Sequence, residues 1–177
     1  MKKVKFFTKF ISVGMLSLIL GTLGEQVALA QRPIFLLDLT CIRTSNRSRA
    51  FNPFNRRSQD IVVGREIHTS VMRAYPNVAM TCKLPAASST SLRLEYGMSD
   101  TDRNSAPVKI DAYLDGNQIA SRTASPGQRG TMLVDISQGK NLSIETSCAR
   151  ASNCGSAYVY FFKAQIEPAA ASPGRRQ

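Results

Sequence analysis

Apolar and polar residues alternate with a period of two over most of this chain, and that alternation restricts the fold more than any single motif. The stretch SLRLEY sets Leu92, Leu94 and Tyr96 against Arg93 and Glu95, and VKIDAYL sets Val108, Ile110, Ala112 and Leu114 against Lys109, Asp111 and Tyr113. TMLVDIS and LSIETSC repeat the pattern. In extended backbone such alternation places one row on each face, so each run is expected to be a strand with one buried side. Turn-forming clusters separate the runs: Gly97 to Pro107, Asp115-Gly116-Asn117, Ser125-Pro126-Gly127, Gln138 to Asn141, and the loop from Cys148 to Gly155. Asp115-Gly116 suits the positive φ angles of a two-residue hairpin turn. Short strands at this spacing, without long helical patterns, predict an all-β, antiparallel β-sandwich of two aligned sheets. The closing run SAYVYFFKAQIE is apolar on both parities from Tyr158 to Phe162, which predicts a strand covered on both faces. Thr44 to Asp60, rich in Asn, Ser and Arg, reads as a long irregular loop, and Pro168 to Gln177 as a disordered basic tail.

The first residues read as an export signal. Lys2, Lys3, Lys5 and Lys9 form a positive head, Phe10 to Leu20 an apolar core, and Ala28-Leu29-Ala30 a small-residue cleavage site. Gly21, Thr22, Gly24 and Glu25 interrupt the apolar run short of the roughly 20 residues a spanning helix needs. The expectation is a signal peptide over 1–30, cleaved near Ala30, and one sandwich domain over 31–167 in a secreted, periplasmic or cell-envelope protein. Removing the leader takes four lysines and Glu25 from 23 basic and 12 acidic residues, leaving 19 against 11, a charge of +8. In an exported chain that balance directs attention to anionic surfaces and acidic glycans; no nucleic acid is expected as a partner.

Four cysteines, Cys41, Cys82, Cys148 and Cys154, all follow the leader, and an oxidising compartment would pair them. Cys148 and Cys154 flank the short polar stretch ARASN, which favours their pairing with each other and leaves Cys41 for Cys82. Zinc is disfavoured, because there is no C-x-x-C and His68 is the only histidine.

The order of segments is similar to a known family. IVVGREI (Ile61 through Ile67), AMTCKLP (Ala79 through Pro85), GMSD (Gly97 through Asp100), VKIDAYLDG (Val108 through Gly116) and VDISQGKNL (Val134 through Leu142) resemble the progression of NPCBM modules, carbohydrate-binding modules named for the N-terminal domain of some glycoside hydrolases. The resemblance spans nearly the whole chain beyond the leader. It implies a galactose-binding-like, jelly-roll-type sandwich and a polysaccharide or glycan as partner. The chain departs from the family at the closing segment, where relatives carry an acidic, tryptophan-bearing motif resembling D-H-x-D-W and this sequence has GSAYVYFF and no tryptophan.

A sugar site needs an aromatic face for the apolar side of the ring and convergent hydrogen-bonding groups for its hydroxyls. Tyr75, beside Arg73 and Asn77, is the best local set, and Tyr113, outward by parity, is the second candidate. Asp100 and Asp102 in GMSDTDRN offer oxygen ligands of the kind calcium takes. Arg43, Arg47, Arg49, Arg56 and Arg57 form a dense basic cluster suited to an anionic surface. No serine stands in a G-x-S-x-G context, and Glu95 and Glu145, the conceivable glycosidase pair, occupy polar parities of ordinary strands. No catalysis is expected. Three functions are left open: a carbohydrate-binding protein of the cell envelope, an adhesin for anionic surfaces, and a structural module that contacts another exported protein.

Overall fold

The computed structural model describes residues 32–45, 54–85, 90–150, 154 and 157–168, and these form eleven strands and two short 3-10 turns. The strands are β1 (Ile34–Phe35), β2 (Cys41–Ser45), β3 (Phe54–Val63), β4 (Glu66–Ala74), β5 (Val78–Lys83), β6 (Thr90–Gly97), β7 (Val108–Leu114), β8 (Asn117–Ala124), β9 (Arg129–Asp135), β10 (Asn141–Cys148) and β11 (Val159–Pro168). The first sheet runs β3-β4-β11-β6-β9, with β1 also paired to β11; the second runs β2-β5-β10-β7-β8. Every strand pair is antiparallel. The leader expected over 1–30 and the tail from residue 169 on lie outside the described residues.

The alternation that predicted strands also sorts their side chains. Met72, Leu92, Leu94, Met132 and Phe161 from the first sheet join Met80, Ile110, Leu142 and Ile144 from the second in one core, each no more than 1% exposed. The Asp115-Gly116 turn closes β7 and β8 as expected, with φ of 49° and 86°. Its carboxylate also accepts from the backbone N–H groups of Lys140 and Asn141 at 2.9–3.2 Å, which joins this hairpin to the turn before β10. The two disulfides link Cys41 to Cys82 and Cys148 to Cys154.

One expectation fails. The loop expected over Thr44 to Asp60 is strand at both ends, because Thr44 and Ser45 finish β2 and everything from Phe54 onward belongs to β3; residues 46–53 lie outside the described residues. Phe54 is fully buried, and Ile61 and Val63 are buried at the far end. Between them the register with β4 skips from Arg56 opposite Met72 to Gln59 opposite Ser70. That bulge lets a polar run continue the ladder, since backbone pairing with a neighbour outweighs weak strand propensity.

The β3–β4 hairpin positions the rest. Gly64 and Arg65 turn it with φ of 63° and 70°. β4 pairs with β11 only through Met72, Arg73 and Ala74. Beyond that contact the tip lies against the outer side of the sheet: a Cβ added to Gly97 would meet Val63 Cγ1 at 3.1 Å and Phe162 Cε2 at 3.3 Å. Ile61, Val63 and Tyr160 form a second small apolar cluster there, with Tyr158 and Phe162 packed on it. The start of β11 is therefore buried on both sides, as its two-sided apolar sequence requires.

Candidate functional site

Four segments meet at the end of the sandwich where β11 begins: the end of β4 with its following turn, the 3-10 turn Asp100–Asp102, the segment leading into β11, and the hairpin tip. Tyr75 leaves β4 and its ring lies 4.3 Å from that of Tyr158, tilted by 45°, with the two hydroxyls hydrogen-bonded. Arg73, on β4, lays its guanidinium over the Tyr158 ring at 4.3 Å from the centroid. Tyr160 stands 5.9 Å from Tyr158, and the Gln59 and Arg73 side chains hydrogen-bond its hydroxyl. Burial, followed by the bond to Tyr75, pushes the Tyr158 phenol up to about 12, so its proton stays in place at any physiological pH.

The turn Ser99-Asp100-Thr101-Asp102 holds this arrangement together. Ser99 Oγ accepts from the Thr101 N–H at 3.2 Å. The Asp102 carboxylate accepts from the backbone N–H groups of Ser99 and Tyr158, which makes it the return half of a capping box and an anchor for the approach to β11. Burial nevertheless raises the Asp102 carboxyl above its ordinary value. Asp100 accepts from the N–H groups of Gly64 at 2.8 Å and Arg65 at 3.0 Å, and these bonds lower its pKa. Both carboxylates thus serve backbone donors, one for the hairpin tip and one for Tyr158. Among the described residues no group of three His, Cys, Asp or Glu side chains is placed to hold a metal ion.

The remaining sequence candidates disperse. Asn77 sits at φ 61°, and its Oδ1 accepts from the Cys148 N–H at 3.4 Å, so it fixes a turn. Tyr113 lies half-buried on the outer face of the second sheet, in a row with Thr81, Ser143 and Gln118, far along the fold from Tyr75. Arg43 belongs to β2 in one sheet, and Arg56 and Arg57 to β3 in the other. Arg56 is ion-paired with Asp38 and lies over Phe35, so its charge is already matched. It also lines, with Phe35, Ser58 and Val71, a cleft of about 330 Å³ that does not include the tyrosines. Arg47 and Arg49 lie outside the described residues. Glu95 and Glu145 occupy the outer faces of opposite sheets and do not meet. Glu95 is bonded by Arg129 at 2.6 Å, and this bond is the main cause of its lowered pKa. His68 stacks at 4.9 Å from Phe162 beneath the hairpin and belongs to the packing.

The structure brings Tyr75 and Arg73, named from the sequence, together with Tyr158 and Tyr160, which the sequence places in strand packing. The available signal was the parity of AYVYFF: a residue apolar on the outward parity needs a cover, and the cover is part of the same site.

No protein-family model matches the chain, and no curated protein matches it. Solved structures do. The CBM51-2 and INT domains of Clostridium perfringens ZmpB align with 78% of this chain at a TM-score of 0.62 and 12% identity; the same domains in complex with GlcNAc give the same values. The chain spans about a third (32%) of the length of those structures. The CBM51 module of Clostridium perfringens GH95, in complex with methyl-galactose, aligns at a TM-score of 0.63 and 11% identity over 76% of this chain and 99% of that module. The shared property is the fold, an antiparallel β-sandwich of carbohydrate-binding-module type.

Proposed function

We propose that this chain is a non-catalytic glycan-binding module of the NPCBM type that works outside the cytoplasm. The observation carrying the proposal is the convergence of Arg73, Tyr75, Tyr158 and Tyr160 at one end of a sandwich whose counterparts of the same fold include domains holding GlcNAc and methyl-galactose. Aromatic rings bearing hydroxyls, set beside a planar cation, supply the flat apolar surface and the directional donors that a saccharide requires. Among the described residues the carboxylates beside them, Asp100 and Asp102, are engaged by backbone N–H groups, which supports binding without turnover. The leader and the two disulfides support an oxidising compartment.

The test is a glycan array probed with the oxidised protein from Gln31 onward, at low and high salt, beside Tyr75→Ala. Binding is expected in the wild type and a loss of about five- to 150-fold in Tyr75→Ala, the effect of removing roughly 1–3 kcal/mol of ring contact and hydroxyl bonding. Equal binding by both proteins would move the site elsewhere, and the half-buried Tyr113 face is then the next to mutate.

A further inference from the structure

We infer that the glycan this site takes is acidic, a sugar bearing a carboxylate that pairs with Arg73; the inference rests on the glycan-binding reading above. It follows from asking which polar groups in the cluster are still available to a ligand. The acceptors are partly taken. Asp100 serves Gly64 and Arg65, Asp102 serves Ser99 and Tyr158, and the Tyr160 hydroxyl receives Gln59 and Arg73. The stacking surface of Tyr158 is largely consumed as well, because it carries the Arg73 guanidinium over its ring and Tyr75 tilted against it. A neutral sugar, which depends on an open aromatic face and on acceptors for its hydroxyl protons, finds little of either on Tyr158.

Donors remain. A guanidinium presents five N–H groups; Arg73 bonds the Tyr160 hydroxyl with one, its buried Nε is out of a ligand's reach, and the terminal nitrogens keep the rest. Arg73 is in no ion pair among the described residues, in contrast with Arg56, Arg93 and Arg129, each of which meets a carboxylate. Arg65 and Arg103, both exposed, lie within electrostatic range of Asp100 at the rim and offset its charge, while the Asp102 carboxylate acts on Tyr160. A half-buried planar cation held flat by an aromatic ring matches a carboxylate in shape and charge, because the two oxygens accept two parallel N–H bonds.

Three trisaccharides of equal length separate the possibilities: trigalacturonate, its methyl ester and galactotriose, titrated calorimetrically into the wild type, Arg73→Gln and Arg73→Lys. The free acid is expected to bind about ten-fold or more tightly than either neutral compound, as a charge-assisted pair would give. That preference should vanish in Arg73→Gln, survive in part in Arg73→Lys, which keeps the charge but not the fork, and shrink as salt is raised. Circular dichroism of each variant confirms that it is folded. Equal binding of acid, ester and galactotriose would overturn the acidic specificity and leave glycan binding standing. Binding of the acid that Arg73→Gln leaves intact would overturn the assignment to Arg73. No binding of any of the three would overturn the inference, and the array alone would then decide the glycan reading.

Discussion

Asp100 holds the hairpin tip through two hydrogen bonds that only a carboxylate makes with both oxygens at once. Its pKa is lowered in the folded protein, chiefly by the Arg65 and Gly64 N–H groups. A carboxyl with a depressed folded pKa adds stability that is complete above the unfolded value of about 3.9 and disappears as pH falls through it toward the folded value. Asp100→Asn is therefore expected to be less stable than wild type at pH 7, with the difference narrower at pH 3. Urea midpoints at both pH values measure this, and a gap that stays constant would show that the charge is not involved. Amide exchange at Gly64 and Arg65 should quicken in the same variant while β10, in the other sheet, stays protected. The sequence offers Asp100 and Asp102 only as oxygen ligands of the kind calcium takes. Gly64 and Tyr158, the residues whose N–H groups they bind, lie 36 and 56 positions away, a separation that no local pattern reveals.

At the scale of elements, legibility followed the regularity of the strand. β6, β7, β9 and β10 each bury one face against one core, so their alternation reads directly as structure. β3 was read as loop because its buried residues, Phe54, Ile61 and Val63, are divided by a bulge and serve two different clusters. The two clusters should differ in energy. Phe161 is fully buried in the main core, and Phe161→Ala is expected to cost about 3–5 kcal/mol. Val63, in the hairpin cluster, loses two methyl groups in Val63→Ala, which predicts about 1–2 kcal/mol. Chemical denaturation measures both. The more informative comparison is glycan affinity: Val63→Ala should weaken binding although the residue is on the far side of the hairpin backbone from the solvent, because it holds Tyr160 and Phe162 in place. Unchanged affinity would separate the hairpin from the site.

For the molecule as a whole, the disulfides act on the unfolded chain in proportion to the loop they close. Cys41 and Cys82 are 41 residues apart and already opposite one another in the β2–β5 ladder, whereas Cys148 and Cys154 are six apart. Loop-closure entropy predicts about 4 kcal/mol for the first and roughly 2 kcal/mol for the second. The Cys41→Ser/Cys82→Ser pair should thus lower the thermal midpoint further than Cys148→Ser/Cys154→Ser, as calorimetry of the two variants would show. The second pair is expected to matter more for ligand affinity, since Cys148 also donates its N–H to Asn77 beside Tyr75. The pairing of β1 with the end of β11 has a mechanical consequence. Ile34 stands opposite Ile166, whereas the tyrosines gather at the start of the same strand, roughly 20–26 Å away at about 3.3 Å per residue. If the tyrosines hold a glycan, an attachment at Ile34 or Pro168 lies at the other end of β11, and tension between tether and glycan runs along that strand. That strand is braced by β4 and β6 on its two sides, so the load is shared by many hydrogen bonds in shear instead of opening them one after another.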